Sequence, residues 1–408
     1  MNEDTDSRPG PGAASAGAGQ SATEPLRVGV IGCGRVATNF HLPAYLALPE
    51  LCRLVAVADP VPTQLDTAGD RGGLPRADRH SDAEELLRRP DIDVVDVCTP
   101  PRLRADYIVK AAESGKHILA EKPLASTPRE ARRAVDAAAS AGVSLGMMHN
   151  YLFVPEFVRA REIVRSGQLG DLRAVLVNFL GVPDWTGTGQ GDFDLAWRHK
   201  LEAGGGVLID MLHAVYVAEA LLDHHFDFAS AFVANNAPGR EVEDLALCRF
   251  EADGRAALVN VGWGVGPGGV SVIGSRKRLT IEYERGGNPP WSPFERMTLA
   301  DHDSTTVEPL PRGMERVDLQ TTNVRAVVRD FLDAVQSGRP PRATGEDGLR
   351  ILEAILASYH SASSGSTVQL PLDQTSPVWD RGVVGLADVD VAEWSAVARS
   401  HLYGVGFR

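Results

Sequence analysis

The run Arg27–Ile31 (RVGVI) passes directly into Gly32-Cys33-Gly34-Arg35-Val36-Ala37, and this junction constrains the fold more than any other stretch of the chain. A short apolar run rich in β-branched residues reads as a buried strand. The glycines break it, and a helical pattern follows from Arg35 toward Leu48. G-x-G-x-x-G/A between a strand and a helix is the spacing that a bound dinucleotide requires. Gly32 permits the tight turn, Gly34 lets the backbone approach a pyrophosphate, and Ala37 allows close helix–sheet packing. Arg35 and Val36 open the helix, whose N–H groups and positive end attract phosphate. Asp59 closes the next apolar run, Arg53–Ala58. A carboxylate there accepts hydrogen bonds from a ribose and repels a 2′-phosphate, so NAD is expected over NADP.

The alternation continues. Asp93–Cys98, His117–Ala120 and Val143–Met148 read as strands. The segments between them read as helices. One starts at the Ser81/Glu84 capping-box spacing, one spans Leu103–Ser114, and one starts at Thr127-Pro128-Arg129-Glu130. Such a pattern predicts a doubly wound parallel sheet, which binds ligands beyond the carboxyl ends of its strands. Beyond Met148–Tyr151 the pattern changes. Leu172–Leu180, Phe228–Ala234, Asp244–Glu251, Arg255–Trp263 and Leu279–Glu284 read as strands, and no long helix separates the last four, which favours an open, mostly antiparallel sheet. Asn323–Gln336 and Gly348–Ser361 read as helices, and Thr367–Leu372 as the last strand. The expected division is a disordered leader (1–24), a dinucleotide-binding domain (25–149), a second domain (150–375) and a C-terminal tail (376–408). The tail carries aromatics near its end and is expected to dock.

Composition excludes several functions. The 41 Lys+Arg against 54 Asp+Glu leave a net charge of −13, which repels nucleic-acid backbones. Four cysteines without a CxxC pair fit neither a disulfide framework nor a zinc ribbon, and suggest a reducing, cytoplasmic setting. No stretch reaches the roughly 18 apolar residues of a membrane helix. His224-His225 reads as a solvated turn, so no metal site is expected.

Two further segments carry chemistry. Glu121-Lys122-Pro123 follows a strand, at the ligand end of this sheet type, where an ammonium can hydrogen-bond a substrate hydroxyl and stabilise negative charge. Gly204-Gly205-Gly206 leads into Val207–Leu222, a helix apolar on nearly every side and interrupted by Asp210 and His213. Buried polar groups must be paired or used. A histidine oriented by neighbours can serve as general base near neutral pH, and a self-satisfied core pair fits the segment equally well.

These segments together resemble the Gfo/Idh/MocA family of nicotinamide-dependent oxidoreductases. The likeness rests on GCGRVA with Asp59; on Thr99-Pro100 with Gly115-Lys116-His117 running into Glu121-Lys122-Pro123; and on Trp197-Arg198 followed by GGGVLIDMLH. It covers roughly residues 25 to 372, and it implies a Rossmann domain over 25–149 and, over 150–375, a substrate and oligomerisation domain with an open antiparallel sheet. It implies that Lys122 is the catalytic lysine, that His213 takes the hydroxyl proton and that Asp210 assists it. It places Thr99, Pro100 and Glu121 beside the cofactor, and Asn150, Tyr151, Trp197 and Arg198 at the substrate. Two departures stand out. Asp210 and His213 are three residues apart where the family commonly has four, and Arg102 and Arg104 follow Thr-Pro where the family often has a histidine, which suggests altered nicotinamide or substrate contacts. The expected activity is NAD-dependent oxidation of a secondary alcohol of a sugar, cyclitol or aminocyclitol, or reduction of the matching ketone, in a homodimer or homotetramer. Asp184, Asp192 and Asp194 read as loop carboxylates. The alternatives are an NAD-retaining glycoside-processing enzyme of the same family and a non-catalytic nucleotide or sugar sensor.

Overall fold

The computed structural model describes residues 24–184, 199–201, 204–236, 240–283, 294–309 and 319–389. Six strands build the first sheet: β1 (Leu26–Ile31), β2 (Cys52–Ala58), β3 (Arg79–His80), β4 (Val94–Val97), β5 (His117–Ala120) and β6 (Leu145–Met147). Their order is β3-β2-β1-β4-β5-β6, and every pairing is parallel. The strand order reverses between β1 and β4, which opens a crevice beyond their carboxyl ends. The expected doubly wound sheet is therefore present.

The helices between these strands follow local chemistry. After the glycine turn the chain makes one π-helical turn (Ala37–His41) and then α1 (Leu42–Leu46). Next come α2 (Pro62–Arg71) and α3 (Ala83–Leu87). Asp82, and not Ser81, caps α3, accepting from Glu84 N at 2.9 Å. The carboxylate stands one residue closer to the first turn and satisfies its N–H directly. α4 (Pro101–Glu113) begins two residues earlier than its apolar pattern suggests, because Pro101 is suited to a first helical position. α5 (Pro128–Ala141) is capped by Thr127 as expected, and Gly142 ends it in the left-handed conformation.

Among the described residues the second sheet has nine strands. They are β7 (Leu172–Val182), β8 (Phe228–Ala234), β9 (Leu245–Ala252), β10 (Arg255–Trp263), β11 (Gly268–Gly274), β12 (Arg278–Tyr283), β13 (Phe294–Ala300), β14 (Thr305–Glu308) and β15 (Val368–Gln369). Only β7 and β10 pair in parallel; the other ladders are antiparallel. Burial alternates along β9, so one face is covered and the other carries exposed Phe232, Leu247 and Leu258.

Among the described residues α6 (Pro155–Arg165), α7 (Val207–Asp210), α8 (His213–Leu222), α9 (Leu319–Ser337) and α10 (Gly345–Ser364) accompany this sheet in sequence. The single helix expected over Val207–Leu222 is two. Met211 leaves the helical region (φ −100, ψ 30), and a tight turn through Leu212 separates α7 from α8. Neither glycine nor proline marks the break, so apolar periodicity runs through it unaltered. Although it lies late in the chain, α9 packs on the first sheet: Val324, Val328, Phe331 and Leu332 share a core with Val28, Val94 and Leu119. Past β15 the first part of the tail packs as α11 (Pro377–Arg381) and a 3₁₀ turn (Gly382–Asp388), while the aromatics near its end lie outside the described residues. Val378, Trp379, Val383 and Leu386 are buried there, and Asp380 pairs with Arg129 at the start of α5.

Candidate active site

The nucleotide crevice starts at Gly32, whose φ of +91 and contact with the β4 end leave no room for a side chain: an added Cβ would stand 2.9 Å from Thr99 N. At Gly34 an added Cβ would meet only Gln64 Oε1, at 4.0 Å, so the backbone can be approached closely there. Asp59 is buried. Its Oδ2 accepts from Cys33 N at 2.7 Å and its Oδ1 from Val61 N at 2.8 Å. The carboxylate thus ties the glycine turn to the end of β2, and each oxygen keeps a further lone pair for a ribose hydroxyl. These residues fit a dinucleotide.

Glu121-Lys122-Pro123 leaves β5 with a cis Lys122–Pro123 bond. Glu121 is held from behind. The His41 ring sits between Asp96 Oδ2 (2.7 Å from Nδ1) and Glu121 Oε1 (3.0 Å from Nε2). Burial opposes charge on this imidazole, but Asp96 and its neighbours prevail and raise its pKa well above the usual histidine range. Burial likewise pushes the Glu121 carboxyl up, and the His41 bond with the Lys122 and Arg104 charges overcomes it, so the net shift is downward. Glu121 Oε2 then accepts Lys122 N at 2.8 Å. Among the described residues His41, Asp96 and Cys98 are the one group close enough to suggest a metal, but their contacts are those of a hydrogen-bonded network.

Arg104 does not face the crevice as its place after Thr-Pro suggests. It is buried, and its guanidinium donates to the carbonyls of Thr99 and Pro123, joining the turns after β4 and β5. Burial lowers its pKa to about 10, still far above neutrality.

Lys122 reaches from the first sheet's edge to the second domain. Its Nζ donates to the Asp210 carbonyl at 2.6 Å and lies 3.8 Å from Asp210 Oδ1. Asp210 ends α7, and His213 opens α8 beyond the turn. His213 Nδ1 is 2.7 Å from the Tyr216 hydroxyl, while the Asp210 carboxylate lies on the Lys122 side. Burial first, then the charges of Lys122 and His149, hold His213 well below the ordinary histidine range. The imidazole is neutral at neutral pH, the state a general base requires.

Asn150 and Tyr151 sit at the crossover between domains. Tyr151 N donates to Tyr216 Oη at 3.0 Å, and the Tyr151 ring lies 4.6 Å from that of His213. The start of α7 is fixed by Glu243, which accepts from Gly206 N and Leu208 N at 2.9 Å each and from Tyr359 Oη at 2.7 Å. The structure thus brings Lys122, Asp210, His213, Asn150 and Tyr151 together. Gly32, Gly34 and Asp59 form the neighbouring cradle, while Arg35 and Val36 stand at its helix start. Trp197, Arg198, Asp192 and Asp194 lie outside the described residues. Asp184 pairs with His199 and Arg240.

Sequence reasoning passed over Tyr216, Glu243, His41 and Asp96. Tyr216 in an apolar helix reads as core, and Glu243 in a charged stretch reads as loop. Asp96 did carry a signal: a carboxylate inside DVVDVC must have a buried partner.

Residues 26–149 match the model of the Gfo/Idh/MocA oxidoreductase family with NAD-binding Rossmann fold, and residues 157–287 match that of the Gfo/Idh/MocA C-terminal domain. The dTDP-3,4-didehydro-2,6-dideoxy-alpha-D-glucose 3-reductase of Actinomadura kijaniata is 30% identical over 342 residues, covering 80% of this chain and 92% of that one. The enzyme of the same name from Saccharopolyspora spinosa is 36% identical over 199 residues, 48% of this chain, and that match spans only 55% of its own length. The crystal structure of an aldose-aldose oxidoreductase from Caulobacter crescentus, complexed with glycerol, superposes with a TM-score of 0.72 at 25% identity, over 85% of this chain and 100% of that one. With both domain models matched and one relative aligned over nearly its full length, the chain belongs to the Gfo/Idh/MocA family of NAD-binding oxidoreductases.

Proposed function

We propose that the protein is an NAD-dependent dehydrogenase or reductase acting on a secondary alcohol, or the matching ketone, of a sugar, cyclitol or aminocyclitol. The observation that carries this reading is the meeting of Lys122 and His213: a lysine from the end of a parallel strand crosses to the α7 end, beside a buried neutral imidazole. Relatives named for a dTDP-sugar ketone and for aldoses support the substrate class.

In the oxidative direction the substrate O–H bond breaks and its proton passes to His213 Nε2. Lys122 donates a hydrogen bond to the oxygen as negative charge gathers there. The C–H bond breaks as hydride, the carbonyl forms, and NAD supplies the hydride acceptor when bound. Asp210, through its carbonyl, holds the ammonium in place, and Asn150, Tyr151, Trp197 and Arg198 are proposed to line the substrate side. Gly32, Gly34, Arg35, Val36, Asp59, Thr99, Pro100 and Glu121 are proposed to hold the cofactor. The division at 149/150 is kept for function, although the first domain draws α9 into its core. A homo-oligomer covering Phe228, Phe232, Leu247 and Leu258 is part of the proposal, and sedimentation tests it. So is a cytoplasmic location, supported by four free cysteines. No described helix is long and apolar enough to cross a membrane.

The test is NADH formation with a panel of methyl glucosides, anhydrosugars, aldoses, inositols and aminocyclitols. Turnover on one class that collapses in Lys122→Met is the expected result. Undiminished turnover in Lys122→Met overturns the mechanism.

A further inference from the structure

A phenol oxygen has one proton to give and two lone pairs. Among the described residues Tyr216 Oη has three polar neighbours: Tyr151 N at 3.0 Å, His213 Nδ1 at 2.7 Å and Asn150 Oδ1 at 3.4 Å. An amide N–H can only donate, so Tyr151 takes one lone pair. A carboxamide oxygen can only accept, so Asn150 takes the tyrosine proton. One lone pair remains for His213, and it must receive a proton from Nδ1. The imidazole then carries its hydrogen on Nδ1 and leaves the Nε2 lone pair open.

The alternative arrangement is worse for catalysis. If the Tyr216 proton turned to His213, Nδ1 would accept it, and the neutral ring would hold its hydrogen on Nε2. That ring cannot take a proton from a substrate hydroxyl. We infer that Asn150 and Tyr216 are positioning residues that select the Nδ1–H tautomer of His213, so that Nε2 is the base. This rests on the reading of His213 as the proton acceptor.

Three observations support the device. Asn150 is 8% exposed, so water does not readily replace its oxygen. His149 stacks on the Tyr216 ring with centroids 4.3 Å apart and planes 16° from parallel, which holds the ring and so the position of its hydroxyl oxygen. Burial keeps the Tyr216 phenol protonated, so it always has the one hydrogen that the scheme needs. The inference also gives Asn150 a part separate from substrate contact.

The experiment uses the full-length NAD complex labelled with ¹⁵N-histidine, without any sugar. Long-range ¹H–¹⁵N correlations read the tautomer of each ring, and the His213 signals are those lost in His213→Gln. The expected wild-type pattern is Nδ1–H. Asn150→Leu should convert it to Nε2–H, and Asn150→Asp, which keeps an acceptor, should preserve Nδ1–H. On a substrate from the panel, kcat should fall about 100-fold in Asn150→Leu and recover in Asn150→Asp, with the KM for NAD unchanged. An Nε2–H wild type, or a tautomer indifferent to Asn150→Leu, overturns the inference. If Asn150→Leu does not fold, the wild-type spectrum and Tyr216→Phe still decide: Tyr216→Phe must change the His213 pattern. The spectra need no turnover, so a wrong substrate class and a wrong tautomer are told apart.

Discussion

Replacing Gly206 by alanine tests how tightly the two catalytic elements are registered. An added Cβ would stand 2.1 Å from the Glu243 carbonyl oxygen. Real Cβ contacts essentially never fall below 3.0 Å, so the start of α7 must move by about 1 Å. Glu243 O also accepts Val207 N at 3.1 Å, and its carboxylate takes Gly206 N and Leu208 N at 2.9 Å, so the move works against three hydrogen bonds. The displacement passes along one short turn to Asp210, whose carbonyl holds Lys122 Nζ at 2.6 Å. A shift of about 1 Å takes that contact out of hydrogen-bond range, and misplacement of this size costs about 100-fold in rate. The controls are the adjacent glycines. At Gly204 (φ +97) no atom of the described residues lies within 4 Å of an added Cβ, so among them alanine there strains only the backbone. At Gly205 it would meet the Tyr359 hydroxyl at 2.5 Å, and a side chain can yield where a backbone cannot. The assay is kcat on the panel's best sugar together with NAD affinity by fluorescence titration. The expected order of kcat is wild type, Gly204→Ala, Gly205→Ala, Gly206→Ala, with NAD affinity level throughout. Full activity in Gly206→Ala, or equal loss in Gly204→Ala, refutes the reasoning.

Asp59→Ala strips Cys33 N and Val61 N of their acceptor. At about 1–3 kcal/mol for the buried Cys33 N left unmet, the glycine turn should loosen and the Kd for NAD should rise about tenfold in calorimetry; an unchanged Kd is the contrary result. Trp379→Ala empties a buried site between α11 and α5, and equilibrium denaturation should show a loss of about 3 kcal/mol, against none if the tail merely rests on the surface. Burial pushes the His149 imidazole down to about 4, from an ordinary 6.5. Its unfolded form binds a proton that the folded form refuses, so the stability it contributes is full above about pH 6.5 and drains as pH falls toward 4. That amounts to roughly 3 kcal/mol, and melting midpoints followed from pH 7 to 5 should fall more steeply for the wild type than for His149→Asn; equal slopes contradict it.

The parallel sheet was legible because its signals are local. RVGVI followed by two glycines, and Thr127 before Pro128, act within a few residues of themselves. The break at Met211 was not, since it follows from Glu243 gripping one end of the segment and Lys122 the other, and neither partner is near in sequence. The same holds for His213. By spacing its orienter is Asp210, three residues before it, whereas the structure sets the Tyr216 hydroxyl, three residues on, against its Nδ1. Arg104 shows the opposite failure. Its position after Thr-Pro stands out in the sequence, yet nothing local distinguishes an arginine that faces the crevice from one that turns inward to two backbone carbonyls.

The packing of α9 bears on how the chain is made. β6 lies so close to it that a side chain at Gly146 would meet the Phe331 ring at 2.5 Å. The ribosome therefore releases every strand of the nucleotide-binding sheet long before the helix that seals one of its faces. Val28, Val94 and Leu119 share that core with the early-made Leu42, Tyr45 and Leu48, but they lack its α9 half through synthesis of almost the whole second domain. Nascent chains stalled between the two would present that apolar face to chaperones, and only completion of α9 would withdraw it.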